Sequence, residues 1–284
     1  FIFILLGIAY SASIGGLGTL VGSPPNAIAA KALGYSFDDW FAVGIPMMIV
    51  LMPVMFLVLY ILFRPKLNMR IEVTDEVIPW TLPRILATIV FVITALAWIG
   101  GSFLQKNFGI SSPDTYVAIA CAVSVVILGL ASWQDVSENT DWGVLFLFGG
   151  GLTLSAVLGA SGASAILGNT VAEIFGQSHP LVVILVVVVF IIILTEFTSN
   201  TASAALLVPV FAAVASEMGM PEEVLVLMIG LGASCAFMLP IATPPNAIVF
   251  GTGHLKQRDM MLAGGVLNTC CIGILTIYAY FFLL

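Results

Sequence analysis

Two short stretches of this chain are written almost identically. Val21-Gly22-Ser23-Pro24-Pro25-Asn26-Ala27-Ile28 and Ile241-Ala242-Thr243-Pro244-Pro245-Asn246-Ala247-Ile248 share five consecutive residues, and each lies in the middle of an apolar run. A Pro-Pro pair removes two backbone donors and disfavours helix just before it, so a helix arriving at either stretch must stop. Ser23 and Thr243 are suited to the N-cap of a new half-helix, with Pro24 and Pro244 at its first position. Such a start presents free N–H groups and the positive end of a helix dipole, which attract an anion. The small residues before each break, Gly22 and Ala242, leave carbonyl oxygens without helical partners, which suit a hard cation such as sodium. One such break alone is as well explained by a proline kink made for packing; two matched copies argue for a site.

A third polar cluster, Thr195-Glu196-Phe197-Thr198-Ser199-Asn200-Thr201, separates two apolar arms at 180–194 and 202–215. Its hydroxyl and amide groups suit a carboxylate that must bind and leave, and Thr198 or Ser199 is placed to cap the second arm. Glu196 is ionisable in an apolar context but has no acid, nucleophile or metal partner nearby in sequence, so an enzymatic base is the weaker reading. A backbone donor or a polar neighbour near the cluster is its expected partner. Cys121, Cys235, Cys270 and Cys271 all fall in apolar stretches without metal-ligand spacing and read as packing residues. His179 and His254 stand alone beside polar loops and do not suggest a metal.

The elements that carry these residues are membrane helices. Hydrophobic residues make up 61% of the 284 positions and charged residues 8%, which a water-soluble globule could not cover with polar surface. The net charge of −7 and the scarcity of basic residues exclude a nucleic-acid footprint. The span 41–63 ends at a basic loop carrying Arg64, Lys66, Arg70 and Arg84, which the positive-inside rule places in the cytoplasm. Spans at 82–101 and 116–132 follow, then an acidic inner loop at 133–141. The glycine-interrupted segment 144–174 reads as a spanning helix followed by a tangential outer segment. The two arms around Thr195–Thr201, each about 15 residues, read as a re-entrant hairpin entering from the outer side, because a polar turn facing lipid would leave backbone groups unpaired. The segment 222–250 then runs inward to His254, Lys256 and Arg258, and 260–284 is the last span. Phe1 opens inside an apolar run with no charged flank of the signal-peptide kind, which reads as a truncated chain.

This topology runs the Ser23 break outward and the Thr243 break inward, the signature of an inverted-topology repeat. The fold class is an all-α polytopic membrane protein, an inverted-repeat transporter with a re-entrant hairpin and broken transmembrane helices.

The Ser199-Asn200-Thr201 tip, followed about forty residues on by Ala242-Thr243-Pro244-Pro245-Asn246, resembles the divalent-anion/sodium symporter family, the INDY-type dicarboxylate transporters; Gly22-Ser23-Pro24-Pro25-Asn26 resembles the break in that family's first repeat. The resemblance covers essentially the whole chain. It implies that roughly the N-terminal two-fifths of such a protein, with a further Ser-Asn-Thr hairpin, is absent here. It implies sodium as the coupled ion, held first around Gly22 and Ser23, and second by Thr195, Thr198, Asn200 and Ala242. It places a C4-dicarboxylate such as succinate, malate or fumarate between them, touched by Ser23, Ser199, Asn200, Thr201, Thr243 and Pro244. It further implies an elevator mechanism, a homodimer and a bacterial inner membrane. Transport-domain parts are then expected at 1–63 and 179–284, a cytoplasmic loop at 64–81 and scaffold spans at 82–178. A dicarboxylate exchanger without net sodium coupling is the alternative.

Overall fold

The structure is a computed structural model that describes residues 1–65, 79–110, 113–140, 142–176 and 178–284. Lys66 and Arg70 of the expected basic loop, and Asp141 of the acidic one, lie outside the described residues. The helices run in the order α1 (Ile2–Gly16), α2 (Pro24–Leu33), α3 (Phe37–Phe63), α4 (Leu82–Ile99), α5 (Gly101–Phe108), α6 (Pro113–Ile127) and α7 (Trp133–Asn139). They continue with α8 (Trp142–Ala160), α9 (Ala163–Phe175), α10 (Pro180–Phe197), α11 (Asn200–Glu217), α12 (Glu222–Ala233), α13 (Pro244–Gly251) and α14 (Gln257–Tyr278), which runs on as a π-helical turn at Ala279–Leu283. Five of these helices are long and apolar enough to cross a membrane, or six if the bent pair α8–α9 is one span.

Residue n and residue n + 220 occupy matching places at the two ends of the chain. Helix α1 corresponds to α12, α2 to α13, and α3 to α14 with its π-turn, both of the last pair spanning 27 residues. Packing follows the same register. A Cβ on Gly44 of α3 would stand 2.3 Å from the Leu17 carbonyl oxygen, and one on Gly264 of α14 would stand 2.4 Å from the Phe237 carbonyl. Only glycine lets these helices approach the unwound backbone so closely. Helix α1 packs on α13 while α12 packs on α2, the reciprocal arrangement that a two-fold relation between the repeats demands.

Several boundaries differ from the sequence expectation, each for a local reason. Helix α3 starts at Phe37 rather than 41, because Asp38 and Asp39 complement the N-terminal dipole and Ser36 N–H donates to Asp39 Oδ2 at 2.9 Å. Helix α6 ends at Ile127 rather than 132, where Gly129 takes a φ of +66°. The 133–141 loop contains α7, nucleated by a capping box in which Ser132 Oγ accepts from Asp135 N–H and Asp135 Oδ2 accepts from Ser132 N–H. Asp135 Oδ2 also accepts from the Ser132 hydroxyl at 2.6 Å, and this bond first, with the Ser132 N–H second, holds the Asp135 carboxyl below the usual carboxylate range. Helices α8 and α9 meet at 75° across Ser161 and Gly162, as the glycine-rich segment suggested.

The chain divides into two compact units, Phe1–Tyr35, Trp40–Pro65 and Leu145–Leu284 in one, Ser36–Asp39 and Lys66–Val144 in the other. The first unit carries both breaks and the α10–α11 hairpin. It includes α9, expected with the scaffold spans, because Gly168 lets α9 lie directly on Ala213 of α11. In the second unit, Trp98 stacks on Phe37 at 5.4 Å and donates to the Asp114 carbonyl at 3.2 Å.

Glycine spacing in α14 gives a test of this packing. Gly264→Ala forces its methyl into the Phe237 backbone, and the full-length protein in detergent should lose about 1–3 kcal/mol of stability. Gly265→Ala meets only the flexible end of Met238 at 3.8 Å and should be neutral or slightly stabilising. Thermal unfolding of the two variants side by side checks the difference.

Candidate functional site

Helix α12 stops at Ala233 and helix α13 starts at Pro244, leaving ten residues whose backbone groups have lost their helical partners. In an unbroken helix the Ala233 carbonyl would accept from Phe237 N–H. Here two consecutive residues of α10 take one group each. Thr195 Oγ1 donates to the Ala233 carbonyl at 2.8 Å, and Glu196 Oε1 accepts from Phe237 N–H at 2.8 Å. The Glu196 carboxylate also accepts from Met238 N–H at 2.9 and 3.1 Å, from Leu239 N–H at 3.1 Å and from Asn268 Nδ2 of α14 at 2.8 Å. The residue is 2% exposed. A backbone donor was the partner expected for Glu196; three in succession were not.

The Ala236 carbonyl would pair with residue 240, but Pro240 has no N–H to give. Asn246 Nδ2 supplies the missing donor, reaching the Ala236 and Leu239 carbonyls at 3.2 and 3.1 Å. The first repeat does the same at the same register: Asn26 Nδ2 donates to the Gly16 and Thr19 carbonyls at 2.9 and 2.8 Å. The asparagines of the two Pro-Pro-Asn motifs are therefore staples for the unwound segments, a role that the attention to proline overlooked although both were in the repeated motif. Tyr10 of α1 completes the set by donating to the Phe237 carbonyl at 2.9 Å.

The breaks fall where the two proline pairs require them, with Ser23 and Thr243 in extended conformation at the N-caps. Their hydroxyls behave differently. Thr243 Oγ1 accepts from Asn246 N–H at 3.4 Å and caps α13, whereas Ser23 Oγ pairs at 2.7 Å with Ser234 Oγ at the end of α12. Ser234 joins the two repeats, and nothing in its sequence context marked it.

The hairpin is more helical than its composition suggested. Thr195, Glu196 and Phe197 stay in α10, Asn200 and Thr201 begin α11, and only Thr198 and Ser199 form the turn. The arms are 18 residues each, not about 15, because the polar side chains at the end of α10 are satisfied by the α12–α13 segment rather than by a longer turn. Ser199 caps α11, its Oγ accepting from Ala202 N–H at 3.4 Å. Thr198 Oγ1 is occupied within the hairpin by Ser203 Oγ at 2.7 Å and the Leu194 carbonyl at 2.9 Å.

Of the residues singled out from the sequence, the structure joins Thr195 and Asn200 directly, Thr195 Oγ1 donating to Asn200 Oδ1. Thr195 Oγ1, Asn200 Oδ1 and the Ala233 carbonyl thus form a group of three oxygens that share a single hydroxyl hydrogen. Helix α11 packs on both α2 and α12, which brings the hairpin turn to the same end as Ser23 and Ser234. Among the described residues no hydrogen bond joins Ser199 or Thr201 to Thr243 or Pro244, nor Gly22 or Ala242 to the hairpin. Thr195, Glu196 and Thr243 are buried, Ser23, Asn200, Thr201 and Ala242 half-buried, and Gly22, Thr198, Ser199 and Pro244 exposed. No group of three or more His, Cys, Asp or Glu side chains suited to a metal occurs among the described residues. Neutral oxygens of this kind fit a hard monovalent cation.

Apolar spans, two broken helices and a hairpin turned toward them define a polytopic all-α membrane protein. Residues 2–284 match the sodium:sulfate symporter transmembrane region, and the chain belongs to that family. An uncharacterized transporter of Haemophilus influenzae is 54% identical over 99% of this chain and 63% of its own length. An uncharacterized transporter of Methanocaldococcus jannaschii is 39% identical over 99% of this chain and 64% of its own. The sodium-dependent dicarboxylate transporter SdcS of Staphylococcus aureus is 35% identical over 98% of this chain and 58% of its own. The chain therefore spans about three-fifths of the length of the curated relatives it matches. The family resemblance carried by the Ser-Asn-Thr and Pro-Pro-Asn motifs holds, and with it the multi-pass membrane location.

Asn246 offers a direct test of the staple. Asn246→Ala leaves the Ala236 and Leu239 carbonyls without a donor, at a cost of about 1–3 kcal/mol for each buried group. Asn246→Leu, close in size and unable to donate, should match the alanine variant in thermal unfolding of the full-length protein, and Asn246→Gln should fall between them and the parent.

Proposed function

We propose that this chain forms the larger part of a secondary active transporter for C4-dicarboxylates, succinate, malate and fumarate among them, coupled to sodium. The observation that carries the reading is the junction of Thr195 and Asn200 with the broken α12–α13 segment, where neutral oxygens gather between the hairpin turn and the unwound backbone after Ala233. The Staphylococcus aureus relative, named a sodium-dependent dicarboxylate transporter, supports both ligands.

In this reading one sodium ion is held by Thr195, Thr198, Asn200 and the Ala242 carbonyl, and another around Gly22 and Ser23. The dicarboxylate lies between the breaks, against Ser23, Ser199, Asn200, Thr201, Thr243 and Pro244. Sodium at Asn200 orders the hairpin turn whose hydroxyls and N–H groups hold the carboxylate, so the first ligand removes an ordering cost for the second. Segments 1–63 and 179–284, with the re-entrant hairpin, move as the transport body of an elevator; 82–178 serves as the scaffold through which two copies pair, and 64–81 is the cytoplasmic loop. The membrane is a bacterial plasma membrane.

An exchanger of dicarboxylates with the same fold is the alternative, and uptake driven by a sodium gradient into vesicles empty of dicarboxylate excludes it. In such vesicles the full-length protein should accumulate labelled succinate in sodium but not in choline. Asn200→Ala should raise the sodium and the succinate concentrations for half-maximal uptake together, each by at least about tenfold, since the side chain is placed to serve both ligands. Normal uptake with an unchanged sodium response removes Asn200 from the site.

A further inference from the structure

Glu196 carries a charge for which the proposed transport cycle has so far had no use. Its carboxylate is buried, and the donors that meet it are three peptide N–H groups and one side-chain amide, all neutral. A carboxylate offers about four lone-pair positions, and five contacts from these four donors occupy them, so no oxygen is left over to ligate an ion directly. The neutral donors orient the group but do not cancel its charge. In a low-dielectric interior that charge acts on whatever stands close by. The preceding residue is Thr195, whose hydroxyl brings together Asn200 Oδ1 and the Ala233 carbonyl.

We propose that Glu196 is the positioning and field residue of the cation site. Locked in a cradle of neutral amides, it supplies the negative potential that lets uncharged oxygens, those of Thr195 and Asn200 among them, hold sodium, without touching the ion. The cradle has a second effect. Glu196 sits on α10 and its donors on the segment after α12, so the hairpin half and the broken-helix half of the site are fixed to one another through the same carboxylate. The equivalent backbone in the first repeat, Leu17 to Thr19, is held by different means: Leu17 N–H and Gly18 N–H donate to the Ile14 and Gly15 carbonyls, and Trp40 Nε1 donates to the Leu17 carbonyl.

The inference rests on the sodium reading above, and a binding measurement separates the two. Full-length protein in detergent is titrated with sodium chloride at constant ionic strength, choline chloride making up the balance, and the sodium-dependent rise in melting temperature gives the half-saturating concentration. Glu196→Gln removes the charge while its amide oxygen can still accept from the Phe237 and Met238 N–H groups; half-saturation should rise at least about tenfold. Glu196→Asp keeps the charge and shortens the arm; the protein should melt lower at every sodium concentration, with half-saturation within about threefold of the parent. Asn268→Ala deletes a neutral donor and should also lower the melting temperature without moving half-saturation. No sodium-dependent shift in the parent overturns the sodium reading itself. A sodium-responsive parent whose glutamine variant titrates unchanged, or whose aspartate variant is shifted as far as the glutamine one, overturns the role of the charge and leaves a purely structural clamp. Should the glutamine variant fail to fold, the aspartate and Asn268 variants decide alone, since a clamp without a field role moves half-saturation in both.

Discussion

The first compact unit depends on satisfying a backbone that has been taken out of helix, much of it buried. Between Ala233 and Pro244 the chain gives up its i to i−4 partners, and in hydrocarbon each abandoned group would cost several kcal/mol. Thr195 and Glu196 replace the two halves of the lost 233–237 hydrogen bond, Asn246 answers the carbonyl that Pro240 cannot, and Tyr10 answers Phe237. Three different helices supply these groups, and Asn268 of a fourth, α14, holds Glu196 in turn. The break is therefore not a local defect of one span but a node where α1, α10, α13 and α14 are tied together, and a hairpin carrying Thr195 and Glu196 is obliged to end there.

The two repeats share a register of 220 residues yet solve this problem with unequal means. Asn26 and Asn246 are equivalent, as are Gly44 and Gly264. Beyond them the copies diverge: Thr243 caps its own half-helix, while Ser23 gives its hydroxyl to Ser234 and leaves α2 without a side-chain cap. That single exchange links the start of one half-helix to the end of the other repeat's first half, so the two breaks are not independent of each other. In the proposed cycle, an ion held near Thr195 and a substrate held near Ser23 sit at the two ends of one short chain, through Ala233 and Ser234.

The sequence made the breaks legible because proline acts locally: a missing N–H and a fixed φ interrupt a helix wherever they occur. It made the family legible because the same few residues recur at the same spacing. It overestimated the length of the hairpin turn, since Thr195 and Glu196 read as turn formers by composition and stay helical with their side chains satisfied by a distant segment. The partners of Glu196 lie 41 to 72 residues away in the chain. Ser234 was invisible for the same reason, its partner being Ser23, 211 residues earlier. Periodicity and propensity speak for neighbours along the chain, whereas the satisfaction of an unwound backbone is a property of the packed whole.

In the proposed reading the protein is a carrier, which has to release what it binds, and that requirement favours the kind of chemistry found at this node. A lysine or arginine against the substrate would add a strong, charge-assisted contact and slow its departure. Hydroxyls, amides and helix N–H groups are weaker one by one, and their contribution depends on being held in place before the ligand arrives. The network around 234–243 provides that preorganisation with groups that never leave the protein. The one full charge, on Glu196, is spent on amides rather than on a ligand, so it can bias the site electrostatically while remaining fixed when the site empties. On that reading a strong interaction that stays constant through the cycle costs nothing at release, and only the weak, shared contacts at Thr195, Asn200 and the hairpin turn have to be made and broken.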